Sequence, residues 1–140
     1  MAITMKQRWF FAAIAVASGV LPMGGAVARS ALDRDLEGYA IASCMIASRD
    51  TVLMEQGQGW AGAIVQRSHG PIEIFSGVLK VVNEKIRVSG FAVGHQDGPV
   101  QSNGTKLFML TCGEIIDQPS IVRAVARARL KLARYYKKSR

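Results

Sequence analysis

Two cysteines, Cys44 and Cys112, each sit on the apolar stripe of a helix-like run, and their chemistry sets what this chain can fold into. Leu32, Leu36, Tyr39, Ala40, Cys44 and Ala47 recur at three- and four-residue steps, as do Phe108, Cys112, Ile115 and Ile116. A pair of thiols on such faces is a nucleophile with a spare, part of a metal site, or a covalent staple between two helices. The compartment decides among these.

Residues 1–28 point to export. Lys6 and Arg8 form a short basic start, an uncharged stretch follows from Trp9, and Ala26-Val27-Ala28 supplies an A-x-A cleavage site. The competing reading is an uncleaved anchor, because Trp9 to Ala28 carries no charge over twenty residues. Pro22, Gly24 and Gly25 interrupt that stretch where a spanning helix should continue, so a signal peptide cut after Ala28 is expected. It leaves residues 29–140 as a single domain with no stable membrane insertion.

An exported chain of this size meets an oxidising environment, where two cysteines usually pair. A Cys44–Cys112 disulfide closes a loop of about seventy residues, a constraint that stabilises a small core by about 4 kcal/mol. The alternatives fit less well. A reactive thiol needs polar, electropositive and open surroundings, whereas both cysteines have apolar neighbours; pairing either with His69 or His95 as a catalytic dyad has little support. Zinc would require Cys and His at ligand spacing, and no Cys-x-x-Cys or His-x-x-x-His occurs. No metal and no cofactor are expected.

The remaining pattern predicts an all-α fold of about five helices separated by Gly/Pro breaks. The first runs over roughly 32–48. The second spans roughly 51–67 behind an Asp50 or Thr51 cap. "SHGP" breaks it, and Pro71 suits the first turn of a third helix carrying Ile72, Phe75, Leu79, Val82 and Ile86. Asn103 or Thr105 is expected to cap a fourth helix through Cys112, and "DQPS" introduces a fifth. "RVSGFAV" resembles a short strand but has no evident partner. Trp60, Ile64, Phe75 and Leu79 on the second and third helices are expected to leave an apolar face exposed.

Between Ser89 and Thr105 lie four glycines and a proline in seventeen residues, a long loop between the third and fourth helices. Compact domains seldom keep such a loop without a use for it. Within it, "GHQDG" (Gly94, His95, Gln96, Asp97, Gly98) joins two flexible positions to three polar side chains. His95 with Asp97 as an acid–base pair is the enzymatic alternative, and no third group accompanies them.

Charge is divided unevenly. The chain carries a net +8; from Pro119 onward there are eight basic residues and no acidic one, while residues 29–118 hold eight basic against ten acidic. The C-terminal segment, residues 122–140, is thus a basic amphipathic helical extension in which Ile121, Val125, Leu132 and Tyr136 can pack. Such a helix suits anionic lipid or another polyanion; after export, nucleic acid is not an expected partner.

"LEGYAIASCMIASRD", "GWAGAIVQRSHGPIEIFSGVLKVVNEKI" and "PVQSNGTKLFMLTCGEIIDQPSI", in that order, resemble the type VI secretion amidase immunity proteins. The resemblance rests on Tyr39-Ala40 with Cys44, Gly59-Trp60, Pro71, Ser102 to Gly104, and Met109 with Cys112, over roughly residues 36–121. It departs from the family pattern at "AGAIVQ", where an acidic residue is expected, in the longer loop, and in the basic extension. It implies a periplasmic, non-enzymatic, all-helical homodimer. Such a protein inhibits a papain-like cysteine amidase that cleaves peptidoglycan stem peptides, in a 2:2 complex. The inhibiting element would be the loop between the third and fourth helices, here Gly94, His95, Gln96, Asp97, Gly98, Ser102, Asn103 and Gly104, inserted into the Cys–His cleft of the amidase.

Overall fold

The computed structural model describes residues 29–94 and 104–137. Five helices make the fold: α1 (Ala31–Ala47), α2 (Thr51–Ser68), α3 (Ile72–Ser89), α4 (Phe108–Glu114) and α5 (Pro119–Lys137). A two-stranded antiparallel ladder, β1 (Val93–Gly94) with β2 (Thr105–Lys106), sits between α3 and α4, and a single 3-10 turn (Ile115–Asp117) joins α4 to α5. The expected signal peptide lies outside the described residues. Among those residues, no helix is long and apolar enough to cross a membrane.

α1 is the axis of the molecule. It packs against α2, α3, α4 and α5, and ten of its seventeen residues are buried. A helix enclosed on this many sides needs small residues as well as large ones, and Gly38, Ala40, Ala42 and Ser43 supply them beside Leu36, Tyr39 and Cys44. Gly57 on α2 lies so close to α1 that a Cβ there would fall 2.7 Å from the Ala42 carbonyl oxygen. The two backbones therefore touch directly. Phe75, Val78 and Val82 from α3, with Ile121 and Leu132 from α5, close the core, and the Tyr39 and Phe75 rings meet at 5.0 Å.

Helix starts follow local capping chemistry. The Ser30 hydroxyl accepts from the Asp33 N–H at 3.1 Å, and the Asp50 carboxylate accepts from the Leu53 N–H at 3.0 Å, each satisfying a donor that has no partner within its helix. Pro71 stands at the N-cap of α3, one position before the first turn expected from sequence.

Three expectations are corrected. α4 begins at Phe108 behind Leu107, and Thr105 is a strand residue instead of its cap; Asn103 lies outside the described residues. Arg87, Val88 and Ser89 finish α3, so the strand lies further on, at Val93–Gly94, and finds its partner across the loop. Ile64 and Phe75 are fully buried, Leu79 is half-buried, and Trp60 alone of the four is exposed, because the α2 and α3 apolar stripes are consumed by α1.

The basic C-terminal helix is part of this core. Ile121, Ala124, Ala128 and Leu132 are buried, Val125 and Tyr136 partly so, and Arg129 pairs with Asp33 on α1 at 2.5 Å. Residues through Lys137 in α5 thus belong to the bundle itself.

Candidate functional site

The segment between α3 and α4 leaves the bundle through a device built from several weak interactions. Gly90 ends α3 at φ 70°, ψ −170°, a conformation essentially restricted to glycine, and its N–H still donates to the Ile86 carbonyl. The chain then turns back so that Val93 pairs with Lys106 and Gly94 with Thr105. The Leu107 N–H donates to the Ala92 carbonyl at 2.8 Å, and the Ala92 N–H donates to Thr111 Oγ1 at 3.0 Å. Phe91 and Phe108 meet edge to face, centroids 4.8 Å apart and planes at 75°.

A two-residue ladder is marginal in water by itself. Here its flanks are tied to α4, and α4 is tied to the axis by the Cys44–Cys112 disulfide, with Cα atoms 5.4 Å apart. Both sulfurs are buried, and neither cysteine is free. The staple is thus present, and the alternative Cys–His dyads have no thiol to use.

Of the loop residues proposed from sequence, Gly94 is in β1 and Gly104 immediately precedes β2. His95, Gln96, Asp97, Gly98, Ser102 and Asn103 lie outside the described residues. The ladder pairs Gly94 with Thr105, so the described chain on the two sides of residues 95–103 is held together. Val93, Thr105 and Lys106 are exposed on the ladder, and on α4 Met109 is 65% exposed and Leu110 about half exposed. His69, the other histidine, forms the left-handed C-cap of α2. Among the described residues, no group of His, Cys, Asp and Glu is arranged to hold a metal.

A second polar cluster went unnoticed in sequence. Asp35, only 5% exposed, accepts from Arg67 Nε at 2.9 Å and from Arg67 Nη2, and accepts from the Tyr136 hydroxyl at 2.6 Å. It joins α1, α2 and α5. Its signal was legible in principle, since Asp35 lies three residues beyond Leu32 and so on the core side of α1. The Asp35 hydrogen bond raises the Arg67 pKa above its ordinary value. Burial first, then the bond to Asp35, pushes the Tyr136 phenol well above its usual range. The cluster is satisfied and structural: each carboxylate oxygen is engaged, and the Arg67 side chain is half open to water.

Compared with family models, with curated proteins and with solved structures, the chain gives no match.

Proposed function

We propose that the protein is an immunity protein of the periplasm that inhibits a type VI secreted peptidoglycan amidase, with segment 95–103 entering the Cys–His cleft of the enzyme. The reading comes from the ordered set of motifs, and one structural observation supports it most: the β1–β2 ladder pairs Gly94 with Thr105, the chain that flanks that segment, on a disulfide-anchored platform. A cleft-plugging loop inhibits by occupying space, so it needs rigid roots and no catalytic group of its own. Fixing the roots before binding lowers the ordering cost that association otherwise incurs. The exposed apolar side chains Val93, Met109 and Leu110 suit the desolvated centre of such an interface.

The homodimer implied by the resemblance belongs to the same proposal, but its surface is revised. Ile64 and Phe75 are internal, leaving Val52, Trp60 and Ile72 as the exposed large apolar residues of α2 and the start of α3. Light scattering that shows a monomer throughout the micromolar range would remove the dimer and the 2:2 complex while leaving the loop reading intact.

Replacing residues 95–103 with a tight glycine-containing turn tests the central claim. Circular dichroism and the absence of free thiols should be unchanged, while protection of cells against the cognate amidase disappears. Substituting His95, Gln96 and Asp97 together by alanine should weaken inhibition by about tenfold or more, about 1.4 kcal/mol. A loop-shortened protein that folds and still blocks the amidase would assign recognition to the helical faces. Deleting residues 123–140 is no test of function, since it removes buried Ala124, Ala128 and Leu132 from the core.

A further inference from the structure

α5 uses its apolar face in the core and turns a cationic face outward. Arg123, Arg127, Lys131, Arg134 and Lys137 are all exposed, and the helix contains no carboxylate. Among the described residues none of these five is in an ion pair. Arg129, on the flank toward α1, is the basic residue of α5 that pairs, with Asp33. Glu73 of α3 is the one acidic residue lining the shallow groove where Arg127 and Lys131 emerge. Arg134 is held against the Tyr135 ring at 4.9 Å and donates to its hydroxyl at 3.0 Å. Among these cations stands Leu130, 81% exposed and opposite the buried row of Ile121, Ala128 and Leu132.

We propose that this outer face of α5 docks on an anionic lipid bilayer, the five cations lying on the headgroups and Leu130 reaching toward the acyl boundary. Charge complementarity selects an anionic partner. From Arg123 to Lys137 the row extends about 21 Å along a convex helix, a geometry for a flat surface and not for a groove-bound ligand. The exposed leucine favours lipid over nucleic acid, because it gains from hydrocarbon and gains nothing from a phosphate backbone. Tyr135, the aromatic bordering this face, is half-buried and taken up by Arg134, which leaves no row of rings on which single-stranded nucleic acid could stack. Since the apolar side of α5 is already committed to α1 and α3, the helix cannot sink into the bilayer; attachment is peripheral, reversible and sensitive to salt. The five cations share no residue with the loop platform, so this surface stands or fails separately from amidase inhibition.

The test is co-sedimentation of the protein, purified after export, with phosphatidylcholine vesicles and with vesicles also containing phosphatidylglycerol. The neutral vesicles report any contribution from residues 1–28. Preference for the anionic vesicles, lost at high salt, is expected. Arg123→Glu with Arg127→Glu should weaken anionic binding by at least about 25-fold, at about fivefold per cation removed and with the new carboxylates adding repulsion. Lys80→Glu with Lys85→Glu on α3, beside Ser120 at the start of α5, makes the same change in net charge off the proposed face and should cost less than the α5 variant. Leu130→Ser should weaken binding to anionic vesicles several-fold and leave any binding to a DNA duplex unchanged. Lys80, Arg123, Arg127 and Leu130 are exposed and Lys85 is half-buried, and thermal unfolding checks that each variant folds. Three results would each overturn the proposal: equal affinity for neutral and anionic vesicles, an equal loss in the α3 variant, or duplex binding as tight as vesicle binding with no effect of Leu130→Ser.

Discussion

Cutting the Cys44–Cys112 bridge should cost this domain about 4 kcal/mol. The two cysteines are 68 residues apart, and a cross-link of that span removes about 15 cal/mol/K of loop-closure entropy from the unfolded chain, about 4.4 kcal/mol at room temperature. A domain of this size has only about 5–15 kcal/mol to lose, so a large share of its stability depends on one bond. Alanine is the right replacement: Cys44 and Cys112 are 0% and 1% exposed, and serine would bury two hydroxyls without assured partners. Urea denaturation of the oxidised protein and of Cys44→Ala/Cys112→Ala should differ by that amount, with a larger m-value for the variant because its unfolded state expands further. The loss should also have a place. α4 is seven residues long, too short to hold as an isolated helix, and the bridge fastens it to α1. Amide exchange in α4 and the β1–β2 ladder should accelerate more than in α1 or α2 under native conditions. A stability difference below about 1 kcal/mol with an unchanged m-value would refute the loop-entropy argument. Unchanged exchange in α4 would refute the claim that the bridge anchors the platform.

Removing the two partners of the Asp35 cluster should have unequal effects. Arg67→Met leaves a carboxylate that is nearly inaccessible to water with Tyr136 as its remaining side-chain donor, and should cost about 3 kcal/mol by chemical denaturation; Asp35→Asn frees an arginine already half in solvent and should cost less. The reverse order would mean that the carboxylate is solvated. Tyr136 and Tyr39 have raised pKa values, Tyr136 through burial and its bond to Asp35 and Tyr39 through burial. A phenol raised on folding contributes stability that is fully present below about pH 10 and is lost as pH rises toward the folded value. Ultraviolet titration should show two late-ionising tyrosines and denaturation a weaker fold at strongly alkaline pH; normal titration of both would remove the effect. Gly57→Ala should destabilise by about 1–3 kcal/mol despite the better helix propensity of alanine, because its Cβ would meet the Ala42 carbonyl. A neutral result in thermal unfolding would show that α2 can shift away from α1. Gly90→Ala should cost about 1–3 kcal/mol at φ 70° and loosen the ladder that follows, read by amide exchange at Val93 and Lys106.

Periodicity and capping chemistry are local, and what depends on them was legible in the chain. Apolar steps of three and four residues located α1, α2 and α3 to within a residue or two, "DQPS" marked the start of α5, and Asp50 is the cap its chemistry suggests. The cysteine pairing followed from two thiols on apolar helical faces in a chain expected to be exported. What lay beyond reach depended on which faces meet. Ile64 and Phe75 look exposed on a helix considered alone; only the central position of α1 covers them. The β1 strand has no partner in its neighbourhood of sequence, and its pairing exists only after the chain returns at Thr105. Thr105 has the chemistry of a helix cap, but the ladder takes its backbone first. Asp35 reads as an acid within the first turns of a helix, whereas its role is fixed by Arg67, 32 residues away, and Tyr136, 101 residues away. The basic C-terminal segment reads as an appendage by its charge; tertiary packing makes one face of it core and leaves the other to the solvent. Spacing along the chain determined which residues share a face, and the three-dimensional fold determined what each face touches, because burial and ion pairing are set by neighbours distant in sequence.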